Sequence, residues 1–238
     1  MIEYQWRTVL AYLPDYLHAA LLALQITIAG FVLAFALASA AALARNSASA
    51  ILRFVATCYV EAIRNTPVLL QIFIVYFALP SFGIRLSAVT AGTIALGINV
   101  GAYLTEVLRA GISSVGKGQL EAAQILGLST RTVLLNVVAP QALRNVYPAL
   151  VNNLIQVLLG TALLSAIAVP EITGVATVVN ARTLLFVQVF GIAVALYLLL
   201  SYGLSAVAAL VERFSFTAPT GRRTPKRTSA RRLAGARS

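Results

Sequence analysis

A lone cysteine, Cys58, leaves no partner for an intrachain disulfide. Histidine is as scarce: the only one is His18, so no set of acid, base, nucleophile or metal ligands converges as a membrane enzyme would need. No glycine-rich phosphate loop of the Walker type is present, which removes nucleotide hydrolysis from what this chain does. Charge is thin throughout, at 11% of 238 residues, and acid is the scarcer sign, with 7 Asp and Glu against 18 Lys and Arg.

What fills the chain instead is apolar. Hydrophobic residues make up 60%, a composition that belongs to membrane proteins. Charge-free runs long enough to cross a bilayer fall at His18–Ala44, Asn65–Ile84, Leu86–Thr105, Asn145–Pro170 and Thr183–Val211. The expectation is an all-α integral membrane protein of about five transmembrane helices. Ala38-Ser39-Ala40 resembles a signal-peptide cleavage site, but the flank carries Glu3 and Asp15 against Arg7, and the apolar run exceeds the roughly 7–15 residues of a secretory core. The first helix is therefore expected to stay. Cys58, at the edge of an apolar stretch, reads as a small buried hydrophobe.

Basic residues set an expected orientation. One alternating set of segments holds Arg45, Arg53, Arg109, Lys117, Arg131 and Arg144 and then the arginine-rich end of the chain; the other holds Arg7, Arg85 and Arg182. The positive-inside rule puts the N-terminus outside and the C-terminus in the cytoplasm. Residues 1–16 are then an outer segment, 17–212 the membrane domain, and 213–238 a basic tail without apolar period, expected to be disordered and drawn to anionic lipid. No recognition motif accompanies the tail, so a nucleic-acid role is set aside.

Polar residues inside the apolar frame are few and therefore informative. Glu61 and Arg64 precede the turn at Gly83, Glu106 and Arg109 follow it, and each pair has the spacing that joins side chains on a helix. If both arms are straight, both pairs lie about 34 Å from the turn and form one four-residue charge cluster at the membrane boundary. The fourth span carries a stripe that includes Asn145, Asn152 and Gln156, with Asn153 beside it. Amides in such a helix either pack against neighbours or line a watered path. With Asn152 and Gln156, the residues Asn65, Thr66, Asn99 and Tyr103 are candidates for a shared polar cavity.

The segment Gly118–Pro140 has its own start and stop signals. Gln119–Leu126 is rich in helix formers, Gly127 is placed as the left-handed residue that ends the helix, and Ser129 as the cap of a second one. Val133, Leu134, Val137 and Val138 share a face, and Pro140 is expected to stop or kink the run. The loop is expected to leave that apolar face for a partner to cover.

Glu121-Ala122-Ala123, Gly127, Val137, Ala139 and Pro140 follow the ordered signature of the coupling loop of binding-protein-dependent ABC importers. The likeness extends through Tyr59–Pro67, Ala102–Ser129 and Ala139–Gln156, and resembles the polar amino acid permease subfamily. The resemblance implies a permease subunit of the bacterial inner membrane that works with a second permease, like or unlike, with an ATP-binding cassette ATPase dimer and with a periplasmic solute-binding protein. Glu121, Ala122, Ala123, Gly127 and Pro140 would contact the ATPase, which would hold the ATP and magnesium. Where the subfamily often has Lys-Asp/Asn-Thr-Ser in the fourth span, Leu159, Gly160, Thr161 and Ala162 stand here. A self-contained secondary transporter or channel is the rival reading, but the chain shows no internal repeat of the kind such proteins often carry.

Overall fold

The computed structural model describes residues 2–116, 118, 119, 123 and 125–215, and the elements among them are helical. Helix α1 spans Ile2–Leu10 and α2 spans Leu13–Arg45. The alanine and leucine content of α2 favours helix, Pro14 fits its first turn, and Asp15 and Arg45 stand at the ends their charges suit. Its 33 residues reach about 50 Å, beyond the roughly 30 Å of a hydrocarbon core. α1 and α2 are both tied to the last helix: Gln188 Nε2 donates to Gln5 Oε1 of α1 at 3.0 Å, and the Tyr16 hydroxyl of α2 donates to the Val189 carbonyl at 3.1 Å.

Ser49 caps α3 (Ala50–Arg64), and α4 (Val68–Phe73) continues through a π turn, Ile74–Ala78, and a 3-10 turn, Leu79–Phe82. Gly83 then closes the element at φ 81°, where a Cβ is disfavoured. The two arms meet at 109°. The helical arm Val68–Phe82 lies within the run expected from Asn65 to Ile84, but it is not straight with the helix that carries Glu61, and the cause is Pro67, which removes one backbone donor and disfavours a helical residue before it. Among the described residues four helices are long and apolar enough to cross a membrane, and a fifth crossing exists if the bent pair is counted as one. Cys58, expected to be buried, is exposed on α3.

Helix α5 spans Ala88–Ser113, with Ser87 accepting from the Thr90 amide as its cap. α6 (Thr130–Val133) runs through a π turn, Leu134–Val138, into α7 (Ala139–Gly160), and a 3-10 turn, Thr161–Ile167, ends the run. Pro140 was expected to stop or kink this segment; it does not stop it, since a 37-residue helical run, Arg131–Ile167, passes through. The π turn is the reason. By widening the backbone just before the proline it moves the carbonyl that the ring would strike. Pro80 is preceded by a π turn at the same spacing, so one device is used twice. A short helix, α8 (Ile172–Thr183), and the long α9 (Phe186–Ser215) complete the described chain.

α2 and α5 form the most extensive pair. Lipid tails are as apolar as leucine, so close packing of small residues does the work here that water exclusion does in soluble proteins. Ala34 and Ala38 supply that surface on α2. On α5 glycines do so: a Cβ on Gly92 would stand 2.6 Å from Leu164, on Gly97 2.7 Å from Leu33, on Gly101 2.8 Å from the Tyr59 hydroxyl, and on Gly111 2.4 Å from Val146. Such approaches exclude any larger residue without movement of a neighbour.

Candidate functional site

The break between α3 and α4 is held by a residue that the sequence reading passed over. Ile63 would normally bond to the amide four residues on, but that residue is Pro67. Gln71, only 8% exposed, supplies the substitute: its Nε2 donates to the Ile63 carbonyl at 2.9 Å and to Thr66 Oγ1 at 2.8 Å. Its Oε1 accepts from Asn99 Nδ2 at 3.0 Å, which joins the break to α5. An amide four residues past a proline in an apolar run was the available signal. Thr66 and Asn99 thus meet through Gln71, while Asn65 turns back to the Glu61 carbonyl at 2.7 Å and Tyr103 lies under the Arg64 guanidinium, 5.5 Å from the ring centre.

The expected four-residue charge cluster divides into three separate contacts. Glu106 takes Arg109 at 3.0 Å and also Arg45 from the end of α2; Glu61 receives Asn65 Nδ2 at 3.3 Å; and Arg64 goes to Tyr103. Equal depth for Glu61 and Glu106 requires one straight helix from Glu61 to the turn. With the chain bent at Pro67, Tyr59 donates to the Ile98 carbonyl and Arg64 reaches Tyr103, an order that runs with α5 rather than against it.

The α7 stripe also divides. Asn145 donates to Ser114 Oγ at 2.8 Å and Asn153 to its own helix at the Ala149 carbonyl, also 2.8 Å. Asn152 and Gln156 are exposed and have no side-chain partner among the described residues, so they do not join the Gln71 cluster.

In the 118–140 loop, Gly127 takes φ 68° and the Leu128 amide donates to the Ala123 carbonyl at 3.1 Å, the six-to-one bond of a Schellman stop. Ser129 Oγ accepts from the Thr132 amide at 3.2 Å and caps the next turn. Glu121 and Ala122 lie outside the described residues. The apolar face expected to stay open is mostly covered by the chain itself, since Val133 and Val138 pack with Val115, Ala123 and Ala142. What stays bare sits beside the glycine: Ile125 is 86% exposed and Leu126 75%.

Away from these groups, Glu171 caps α8 from full burial. It accepts from the Gly174 amide at 2.7 Å, the Thr173 amide at 3.0 Å and the Tyr197 hydroxyl at 2.6 Å. Burial pushes its carboxyl above the ordinary range and outweighs the three donors, which pull the other way. Beside it, a cavity of about 600 Å³ opens between the start of α2 and α8, with Asp15, His18 and Arg182 among its lining residues.

Long apolar helices, one pair broken at a proline, make this a multi-pass membrane protein, and a capped loop with bare leucine and isoleucine stands among them. The chain belongs to the family of binding-protein-dependent transport system inner membrane components, whose sequence model matches residues 27–215. It is 40% identical over 189 residues to the L-cystine transport system permease protein TcyB of Bacillus subtilis, covering 79% of this chain and 81% of that one. It is 37% identical over 202 residues to the probable glutamine ABC transporter permease protein GlnM of the same organism, covering 85% and 92%. Among solved structures, one described as an amino acid ABC transporter with histidines superposes with a TM-score of 0.82 at 32% identity, covering 88% of this chain and 98% of the other. The MetNI methionine ABC transporter, at 14% identity and a TM-score of 0.72, shares the fold.

Proposed function

We propose that the chain is a membrane subunit of an ATP-driven amino acid importer in the bacterial inner membrane. It pairs with a second permease subunit, receives solute from a periplasmic binding protein, and is driven by an ATPase dimer that holds the ATP and magnesium. The N-terminus and the start of α2 face outward; Arg45, Arg109 and the 118–140 loop face the cytoplasm, as the distribution of basic residues favours.

The observation that carries the coupling role is the loop tip. Ile125, Leu126 and Leu128 are large apolar groups exposed around a rigid left-handed turn, on the side that the chain's own valines leave uncovered. Exposed apolar residues grouped in this way mark a contact surface. Together with Glu121, Ala122, Ala123 and Pro140, they form the element that seats in the ATPase and passes its motion to α7, with which the second half of the loop is continuous.

The solute path runs along the surface shared by the two permeases, past Asn152 and Gln156 on α7 and the Asn65, Thr66, Asn99 and Tyr103 group at the α3–α4 break. The relatives named for cystine and glutamine support an amino acid as the substrate. Uptake by proteoliposomes tests the whole reading. Transport of a labelled amino acid that requires the ATPase, the binding protein and ATP supports it; transport by this chain alone under an ion gradient overturns it.

A further inference from the structure

The cavity beside α8 has no part in the coupling loop or the polar break, yet its lining is not that of a packing defect. Asp15 enters it from the first turn of α2 and Arg182 from the last turn of α8, with His18 one turn along α2 from Asp15. Asp15 and Arg182 are both exposed, so water reaches their charges. Here neither Asp15 nor Arg182 has an ion-pair partner among the described residues. Each stands at the helix end that its own charge favours, which holds them apart. Ala168 also lines the space, an alanine held at φ 59°, a conformation that costs a side-chain-bearing residue and is retained where the surrounding structure imposes it. At about 600 Å³ the space is within the range that takes a small solute.

We propose that this cavity binds a free zwitterionic amino acid, with its ammonium against Asp15 and its carboxylate against Arg182. Two unpaired charges of opposite sign across one cavity match the two ends of that solute and leave its side chain to the apolar remainder, Leu22, Val175 and Val178. The site reads the backbone of the amino acid and not its side chain. Given the outward orientation proposed above, on which this assignment rests, it is a holding site at the entrance to the permease, separate from Asn152, Gln156 and the Gln71 cluster.

The test is direct binding to the full chain in nanodiscs of phosphatidylglycerol, with the twenty standard amino acids and L-cystine as probes, beside uptake by the complete importer. We expect saturable binding of one or more probes, weakened at least about tenfold by Asp15→Asn and by Arg182→Gln, and kept by Asp15→Glu and Arg182→Lys. For the best probe, its analogue without the ammonium group is expected to be indifferent to Asp15→Asn, and its analogue without the carboxylate indifferent to Arg182→Gln. The conservative variants separate loss of the site from loss of fold. Phosphatidylethanolamine carries the same two charges, so abolition of probe binding on adding that lipid would assign the cavity to a headgroup and overturn the proposal. Absence of binding to the wild-type chain with uptake intact, or binding unchanged in both neutral variants, also overturns it, and the transport reading survives either result. Binding as expected with no ATP-dependent uptake would remove the transport reading and keep the site.

Discussion

Gln71 makes the hydrogen bond that Pro67 cannot, with its amide 2.9 Å from the Ile63 carbonyl. The same side chain holds Asn99 at 3.0 Å, so one buried group fixes both the bend and its distance from α5. Gln71→Leu takes the acceptor from the Asn99 amide and leaves the Ile63 carbonyl with only the Thr66 amide at 3.4 Å and the Thr66 hydroxyl at 3.3 Å, and an unmade buried bond costs about 1–3 kcal/mol. We expect earlier unfolding of the purified protein in a denaturant series. Gln71→Glu keeps the acceptor for Asn99 but loses the donor for Ile63, and is expected to fall between Gln71→Leu and the wild type.

Glu106 lies between two guanidinium groups, and Arg45 is the less exposed of them. Glu106→Ala leaves both cations without their carboxylate, whereas Arg109→Ala leaves the Arg45 pair in place. We expect the first to destabilise by about 1–2 kcal/mol, below the figure for fully buried pairs because water still reaches the group, and the second by less than about 1 kcal/mol. A double-mutant cycle on Arg45 and Glu106 should return a coupling that Arg109 and Glu106 do not match.

Gly127 has open space where a Cβ would go, so a substitution there acts through the backbone alone. Gly127→Val puts a β-branched residue at φ 68°, at a cost of about 1–2 kcal/mol, and turns Ile125 and Leu126 away from their present direction. The expected result is an assembled importer with uncoupled or released ATPase and unchanged ligand capture outside. Full binding-protein-stimulated ATPase activity and full uptake in this variant would remove the coupling role from the loop.

Asn152 and Gln156 are exposed and have no side-chain partner among the described residues, and an unpaired amide in hydrocarbon costs several kcal/mol. In the assembled importer they are expected to face the second permease or the path. Cysteine placed at either position should be labelled by a water-soluble thiol reagent at a rate that changes with nucleotide state. Uniformly slow labelling in every state would reassign the stripe to packing between the subunits.

Glu171 provides a pH test. Its carboxyl is held above the ordinary range by burial, so the folded chain binds that proton more tightly than the unfolded chain does. The stability linked to the proton is fully present below the ordinary carboxylate pKa and is lost as pH rises through the raised folded value. Glu171→Gln removes the titration and, by leaving one acceptor oxygen for three donors, weakens the α8 cap. The wild type should gain stability relative to this variant as pH falls from neutral toward 5, and thermal unfolding at a series of pH values measures the difference.

The long helices were legible because alanine and leucine over twenty or more residues permit little else in a membrane. The loop stops were legible too, at Gly127 and Ser129, where local backbone chemistry decides. What the sequence concealed was long-range. Pro67 and Pro140 look alike as helix breakers, yet one yields a 109° bend and the other is passed, and the difference lies in the wider turn that precedes Pro140 without a break between. Once the bend is missed, Glu61 and Glu106 are given the same depth and Arg45 is left out of their pairing. The short α8 was overlooked because its cap is a buried glutamate whose third donor, Tyr197, comes from another helix.

The four glycines of α5 meet side chains from four different places: Leu33 on α2, Tyr59 on α3, Val146 on α7 and Leu164 beyond it. They work like the notches of a key, each admitting a different pin. α5 cannot turn or slide by more than a fraction of a side-chain width without lifting a pin from its notch, so whatever shifts α7 at the loop end must carry α5, and through it α2 and the bent pair, as one piece.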